Sequence, residues 1–276
     1  MSIKKIQWID NPSKICKTPN SDKINEYVNE IFKIITKGKI QCIHKAPQLI
    51  IPIGAPGVGK STIMEFLIKE HSDVDYSNYV NFDSDKLLDY LPIGDTIRNI
   101  PDITGKPTNI GYAFGWVECM ENFANTNIFE LLLKRLLKAN YNLIFNTHYF
   151  NIIIDAQYYG YFCILVYVLA SKATSKIRVK NRATELGRFF SLDYKNTFGW
   201  SKSIEKYLNT YREQAVWYSL WADRLVLVRN NKNQLLKKKH FKIITTHPVN
   251  NEKKPNNWKL HIKKIYNIIH NMENIP

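Results

Sequence analysis

The segment GAPGVGKS, residues 54–61, constrains the fold of this chain more than any other feature. It fits the pattern G-x-x-x-x-G-K-[ST], in which backbone N–H groups turn inward around a phosphate and the lysine ammonium reaches its outer oxygens. The apolar run LIIPI precedes the segment and the amphipathic run STIMEFLIKEH follows it. A strand, a phosphate-binding loop and a helix N-terminus are therefore predicted in that order.

The residues of this loop have predictable roles toward ATP or GTP. The ammonium of Lys60 is expected to contact the phosphates, and the hydroxyl of Ser61 is expected to be a ligand of Mg²⁺. The predicted nucleotide-binding residues are Gly54, Ala55, Pro56, Gly57, Val58, Gly59, Lys60, Ser61 and Thr62.

Strand and helix signals alternate along the chain around this loop. The predicted strands are residues 49–53, 79–83, 142–146, 162–169 and 224–229. The predicted helices are residues 61–71, 112–138, 172–186 and 204–220. This alternation predicts a mostly parallel sheet with helices on both faces, which is the three-layer α/β fold of P-loop NTPases and kinases.

Three regions are predicted from the distribution of these signals. Residues 1–48 form an N-terminal extension with one amphipathic helix at 22–35, and residues 49–231 form the nucleotide-binding domain. Residues 232–276 form a basic C-terminal extension, whose last part has the spacing of one more amphipathic helix.

The net charge of +15 has two interpretations. Abundant Asn, Ile, Lys and Tyr are typical of an AT-rich genome, which raises lysine content without a functional demand. Alternatively, the charge marks a surface for a polyanion such as nucleic acid. The N-terminus lacks a signal-peptide pattern and no apolar run reaches about 18 residues, so a cytoplasmic protein without a membrane segment is expected.

The sequence outside the loop indicates which class of phosphate-binding protein this is. The guanine-reading element N-K-x-D is absent from the sequence, and the strand at 142–146 continues as Asn146-Thr147-His148 rather than as paired acids. A small-substrate kinase instead needs a carboxylate near the γ-phosphate. Asp83 and Asp85 lie at the carboxyl end of the strand after the loop helix, where open α/β sheets place their ligands. Asp83 is a candidate contact of a metal-bound water.

Arginines that could close over the phosphates occur in the segment KIRVKNRATELGRFF. Arg178, Arg182 and Arg188 lie in or just after the predicted helix at 172–186, which Gly187 ends. Since a planar guanidinium bridges two phosphate oxygens better than an ammonium does, arginines in a lysine-rich chain are informative.

Together these segments resemble the zeta toxin family of P-loop kinases. The resemblance runs from about Leu49 to Asn231 and is carried by GAPGVGKS, FDSDKLLDYLP, ELLLKRLLKANYNLIFN, GYFCILVYVLA, RATELGR and ADRLVLVRNN. It implies transfer of the γ-phosphate of ATP or GTP, with Mg²⁺, to a sugar hydroxyl of UDP-N-acetylglucosamine. It also implies an antitoxin-type inhibitor protein as a partner.

By matching position, the resemblance implies a role for several residues outside the loop. Asp85 falls where the family keeps its catalytic base, and Arg182 and Arg188 resemble its lid arginines. Glu130 resembles a substrate-contacting glutamate. The acid that many members have after the strand at 142–146 is replaced by Asn146, with Thr147 as a displaced substrate-binding threonine.

Three functions remain open from the sequence. The first is a kinase acting on a nucleotide sugar, and the second is a kinase acting on a polynucleotide 5′-hydroxyl or another nucleotide. The third is a nucleotide-binding module without turnover. All three require the phosphate-binding loop.

Overall fold

A computed structural model describes residues 21–55, 57–71, 76–83, 86, 90, 128–146, 151–178, 204–230, 241–245 and 258–273. The helices are α1 (Ser21–Thr36), α2 (Lys60–His71), α3 (Ile128–Lys138), α4 (Ile152–Tyr158), α5 (Ile204–Tyr218) and α6 (Trp258–Glu273). The strands are β1 (Gln48–Ile53), β2 (Val80–Asp83), β3 (Leu143–Asn146), β4 (Phe162–Leu169), β5 (Arg224–Arg229) and β6 (Phe241–Thr245). Residues 172–178 are also helical, and Tyr76–Asn78 form a 3₁₀ turn.

The chain divides into two compact units. The helical unit comprises Met1–Gly38, Phe82–Ala139 and Lys180–Phe189, and the sheet unit comprises Lys39–Asn81, Asn140–Val179 and Phe190–Pro276.

Within the helical unit, α1 packs against α3. The pattern of leucines in α3 places Leu132, Leu133 and Leu136 on one buried stripe, as expected for a helix with apolar residues every three or four positions. Arg135 joins the two helices, because its guanidinium donates to the side-chain oxygen of Asn29 and lies 4.3 Å from the ring centre of Phe32. The predicted helix at 22–35 is thereby confirmed as α1.

The described strands form one sheet in the order β2-β3-β1-β4-β5-β6. β1 is parallel to both β3 and β4, and β4 is parallel to β5, whereas β6 pairs antiparallel with β5. β2 joins β3 through the N–H of Val80, which donates to the carbonyl of Asn142 at 2.8 Å. β1 therefore lies inside the sheet, with a hydrogen-bonded strand on each side.

The apolar strands form the core of the sheet unit. β4 has the bounds that the sequence predicts, and from Leu165 to Leu169 its side chains are buried on both faces, as is usual for parallel sheets covered by helices. One cluster joins Ile50, Val166 and Val226 of three strands to α2 and to part of α5. The three-layer α/β prediction is confirmed by this arrangement.

The other strand predictions also agree with the structure to within one residue. β6 was not among the predicted strands. The predicted helix at 112–138 is described only from Ile128 onward, and the predicted helix at 172–186 only to Arg178. Among the described helices, none combines the length and the apolar character needed to cross a membrane.

Leu165→Ala should strongly destabilise the protein, because Leu165 is fully buried in β4 between two paired strands. Replacing a buried leucine by alanine costs about 2–5 kcal/mol. The free energy of unfolding, measured in urea, should fall by this amount. Leu260→Ala is the matched control, since Leu260 is 65% exposed on α6. Equal losses in the two variants would contradict the assigned core.

Candidate phosphate-binding site

The loop after β1 leaves the sheet in a position that requires glycine at residue 54. A Cβ added to Gly54 would lie 2.6 Å from the backbone oxygen of Val168 and 2.9 Å from a methyl carbon of Val58. Ile53, the last residue of β1, pairs with Tyr167 of β4. Because a strand backbone cannot retreat without breaking this pairing, the sheet itself excludes a side chain at residue 54.

Two further glycines turn the loop toward α2. Gly57 and Gly59 have φ angles of 77° and 88°, which side-chain-bearing residues rarely adopt. The N–H of Val58 donates to the carbonyl of Ala55 at 3.4 Å, and the N–H of Ile63 donates to the carbonyl of Gly59 at 3.2 Å. The loop thus closes on itself and then continues directly into the first turn of α2.

Lys60 is the first residue of α2, and its ammonium lies against the loop. Lys60 Nζ donates to the carbonyl of Gly54 at 2.8 Å and lies 3.5 Å from the carbonyl of Ala55. The ring of Tyr211 in α5 is 5.8 Å from the same nitrogen. A phosphate beside this ammonium would provide charged acceptors, which form stronger hydrogen bonds than neutral carbonyls do.

The first turn of α2 presents Ser61 and Thr62 to solvent. Since the first N–H groups of a helix have no acceptor within that helix, this turn favours an anion. No group of three or more His, Cys, Asp or Glu residues that could hold a metal occurs in the described part of the chain. Mg²⁺ in phosphotransferases is held largely by substrate phosphates and water, and the exposed hydroxyl of Ser61 suits this mode of binding.

Arg178 and Asn230 lie against the outer side of the loop. Asn230 Nδ2 donates to the carbonyl of Val58 at 2.7 Å, and Arg178 donates to the same carbonyl at 3.2 Å. Arg178 also donates to the backbone and side-chain oxygens of Asn230, at 3.3 and 3.4 Å. Burial lowers the pKa of Arg178 from its ordinary value, although a guanidinium remains charged at neutral pH.

Asn230 and Tyr211 were not among the site residues predicted from sequence. A signal was available for Asn230, because it directly follows the predicted strand at 224–229 just as Gly54 directly follows β1. The carboxyl ends of parallel strands meet at one edge of a sheet, where ligands bind. Tyr211 carries no comparable signal, since a tyrosine on an amphipathic helix is usually a packing residue.

Two other predicted residues, Asp83 and Glu130, belong to the helical unit. Asp83 is the half-buried last residue of β2. Glu130 lies in the first turn of α3 and forms an ion pair of 2.6 Å with Lys134, one turn further along the helix. Both members of this pair are exposed, so it contributes little to stability.

β3 ends with the amide side chain of Asn146, at the position discussed above for a carboxylate. Asn146 Nδ2 donates to the side-chain oxygen of Asn81 on β2 at 2.8 Å. This pair is neutral and links the two strands on the β2 side of the sheet. The predictions for Pro56, Asp85, Thr147, Arg182 and Arg188 lie outside the described residues.

The fold and the loop define a nucleotide-binding protein of the P-loop kinase class. The family model described as "Zeta toxin" matches residues 33–240, well over half of the chain. The chain therefore belongs to the zeta toxin family, a family of P-loop kinase-like toxins, and the predicted resemblance is confirmed. No curated protein matches the chain in sequence.

A solved structure supports the same fold. The chain is similar to a protein chain in a solved structure of the PezAT chromosomal toxin-antitoxin system of Streptococcus pneumoniae. The TM-score is 0.57 and the sequence identity is 16%. The alignment covers 92% of this chain and 98% of that chain. Because the identity is low, the likeness shows the three-layer P-loop kinase fold and nothing further.

Gly54→Ala should destabilise the sheet unit and abolish nucleotide binding, because its Cβ would overlap the Val168 oxygen of a paired strand. The measurements are urea unfolding and titration with ATP. Gly160→Ala is the control, since Gly160 has a φ of 79° but nothing within 4 Å of an added Cβ. The control should lose about 1–2 kcal/mol from backbone strain alone. A smaller loss in Gly54→Ala than in the control would contradict the steric explanation.

Proposed function

We propose that this protein is an ATP-dependent phosphotransferase that transfers the γ-phosphate to a hydroxyl of a nucleotide sugar such as UDP-N-acetylglucosamine. The observation that carries the proposal is the path from β1 through the glycine loop to Lys60, whose ammonium lies 2.8 Å from the carbonyl of Gly54. Membership of the zeta toxin family supports the reaction class.

In the proposed mechanism, the loop binds the phosphates of ATP or GTP. Backbone N–H groups of the loop and of the first turn of α2 donate to phosphate oxygens, and Lys60 neutralises the β and γ phosphates. Ser61 provides a protein ligand for Mg²⁺, which when bound neutralises the charge that develops on the transferring phosphate. Since these donors are held by the sheet, little reorganisation is needed at the moment of transfer.

The remaining roles are carried over from the family by position. Asp85 orients or deprotonates the acceptor hydroxyl, and Arg182 with Arg188 stabilises negative charge during transfer. Glu130 and Thr147 contact the acceptor, as proposals of the same kind. Asp83 is proposed from its place at the end of β2 and contacts a metal-bound water.

An inhibitor protein of antitoxin type is also proposed as a partner. The structural neighbour comes from a toxin-antitoxin system, and this supports the proposal without identifying the surface involved. We further propose that residues 49–231 are the catalytic domain and that the segments at either end are extensions of it.

The proposed function is tested by transfer of labelled phosphate from ATP in the presence of Mg²⁺. UDP-N-acetylglucosamine and a 5′-hydroxyl oligonucleotide are offered in parallel, and label is expected on the sugar nucleotide. Lys60→Ala should reduce transfer at least about a hundredfold, because it removes the cation that faces the phosphates. Lys263→Ala, an exposed lysine on α6, is the matched control and should retain full transfer.

The other outcomes each support a different function. Label on the oligonucleotide would identify a polynucleotide as the acceptor in place of the nucleotide sugar. The net charge of +15 would then serve to bind this polyanion. ATP binding without transfer to either acceptor would indicate a binding module. Absence of ATP binding would overturn the proposal as a whole.

Asp85→Asn tests the proposed base separately. The substitution keeps the size of the side chain but removes its ability to accept a proton, so transfer should fall about a hundredfold or more. ATP affinity should remain close to that of the unchanged protein. Near-normal transfer by a folded Asp85→Asn protein would exclude Asp85 as the base.

A further inference from the structure

Asn230, which directly follows β5, is hydrogen-bonded to the phosphate-binding loop. Asn230 is fixed to the sheet by its own backbone, because its N–H donates to the carbonyl of Leu169, the last residue of β4, at 2.7 Å. From this position its side-chain amide donates to the carbonyl of Val58 at 2.7 Å. The orientation of one loop peptide is therefore coupled directly to the sheet.

We propose that Asn230 is a positioning residue that orients the Val58–Gly59 peptide of the loop for phosphate binding, with Arg178 as its support. This inference rests on the proposed nucleotide-binding function and concerns how the loop is prepared for its ligand.

Arg178 adds three hydrogen bonds to this arrangement. One guanidinium nitrogen donates to the carbonyl of Val58 at 3.2 Å and to the backbone oxygen of Asn230 at 3.3 Å. A second nitrogen donates to the side-chain oxygen of Asn230 at 3.4 Å. This last bond leaves the amide nitrogen of Asn230 facing Val58, so the rotamer that positions the loop is selected by Arg178.

Holding the Val58 carbonyl also fixes the direction of the next N–H group. The peptide between Val58 and Gly59 is trans, so its C=O and N–H bonds point in opposite directions. When Asn230 holds the oxygen, the N–H of Gly59 must point away from Asn230. That N–H donates to no acceptor within the described part of the chain and is available for a phosphate oxygen.

The fit between Asn230 and Gly59 is close enough that a side chain at residue 59 would displace the Asn230 amide. A Cβ on Gly59 would lie 2.4 Å from the Asn230 amide nitrogen. The last glycine of the G-x-x-x-x-G-K-S pattern therefore serves two needs in this protein. Its positive φ forms the turn, and its missing side chain leaves room for the amide that orients the peptide.

The test compares Asn230→Leu with the unchanged protein by calorimetric titration with two probes, ATP and inorganic tripolyphosphate. Leucine has the same branching and the same number of side-chain heavy atoms as asparagine, although it is bulkier, and it cannot hydrogen-bond. Because Asn230 acts on the loop and not on the nucleoside, both probes should bind about three- to tenfold more weakly. Asn267→Leu on the exposed surface of α6 is the matched control and should bind both probes normally.

The possible results distinguish failure of this inference from failure of the proposed function. If the unchanged protein binds neither probe, the proposed function fails and this inference fails with it. If the unchanged protein binds both and Asn230→Leu binds them equally well, only the positioning role is overturned. A loss confined to ATP would also overturn it, since Asn230 would then contact the nucleoside. Should Asn230→Leu fail to fold, Asn230→Ala, which introduces no bulk, must show the same loss for both probes.

Discussion

The close approach of Gly54 to the backbone oxygen of Val168 is the constraint on which the candidate site depends. It exists because β1 and β4 are hydrogen-bonded in parallel along the full length of β1, up to the pair Ile53 and Tyr167. The loop must therefore begin where this pairing ends. From there, burial of Val58 against the same core that receives α2 fixes the direction in which the helix starts. Sheet pairing thus determines the position of Lys60 before any ligand is present.

Three neighbouring strands contribute different chemical groups to the loop. β1 continues into the loop itself, and β4 leads into the helical segment at 172–178 that carries Arg178. β5 ends immediately before Asn230. Since parallel strands end at the same edge, groups far apart in sequence meet within hydrogen-bonding distance: Arg178 and Asn230 are 52 residues apart, and Asn230 and Val58 are 172 apart. The backbone donors of the loop, the guanidinium and the amide thus lie close together although they come from three separate segments of the sequence.

The sequence predicted most of the sheet because buried parallel strands are continuous apolar runs, and β4 is the longest of them. β6 was missed because it follows a lysine-rich run, and its pairing partner β5 could not be known from local pattern. The loop was predictable since its chemistry is local. The role of Asn230 was not, because its acceptor depends on the register between β4 and β5, and a lone asparagine after a strand is usually a turn residue.

Among the described residues, neutral groups and not a carboxylate hold the positive charge of Arg178 beside the loop. All the hydrogen bonds that Arg178 makes within the described part of the chain go to neutral oxygens, those of Val58 and Asn230. Burial lowers its pKa, which means that removal from water makes the charged form less favourable than in solvent. A carboxylate beside Arg178 would relieve this cost, but it would also repel a phosphate. Neutral acceptors instead hold the guanidinium in place and leave its positive charge uncompensated beside the loop, so that the charge attracts an anion bound there.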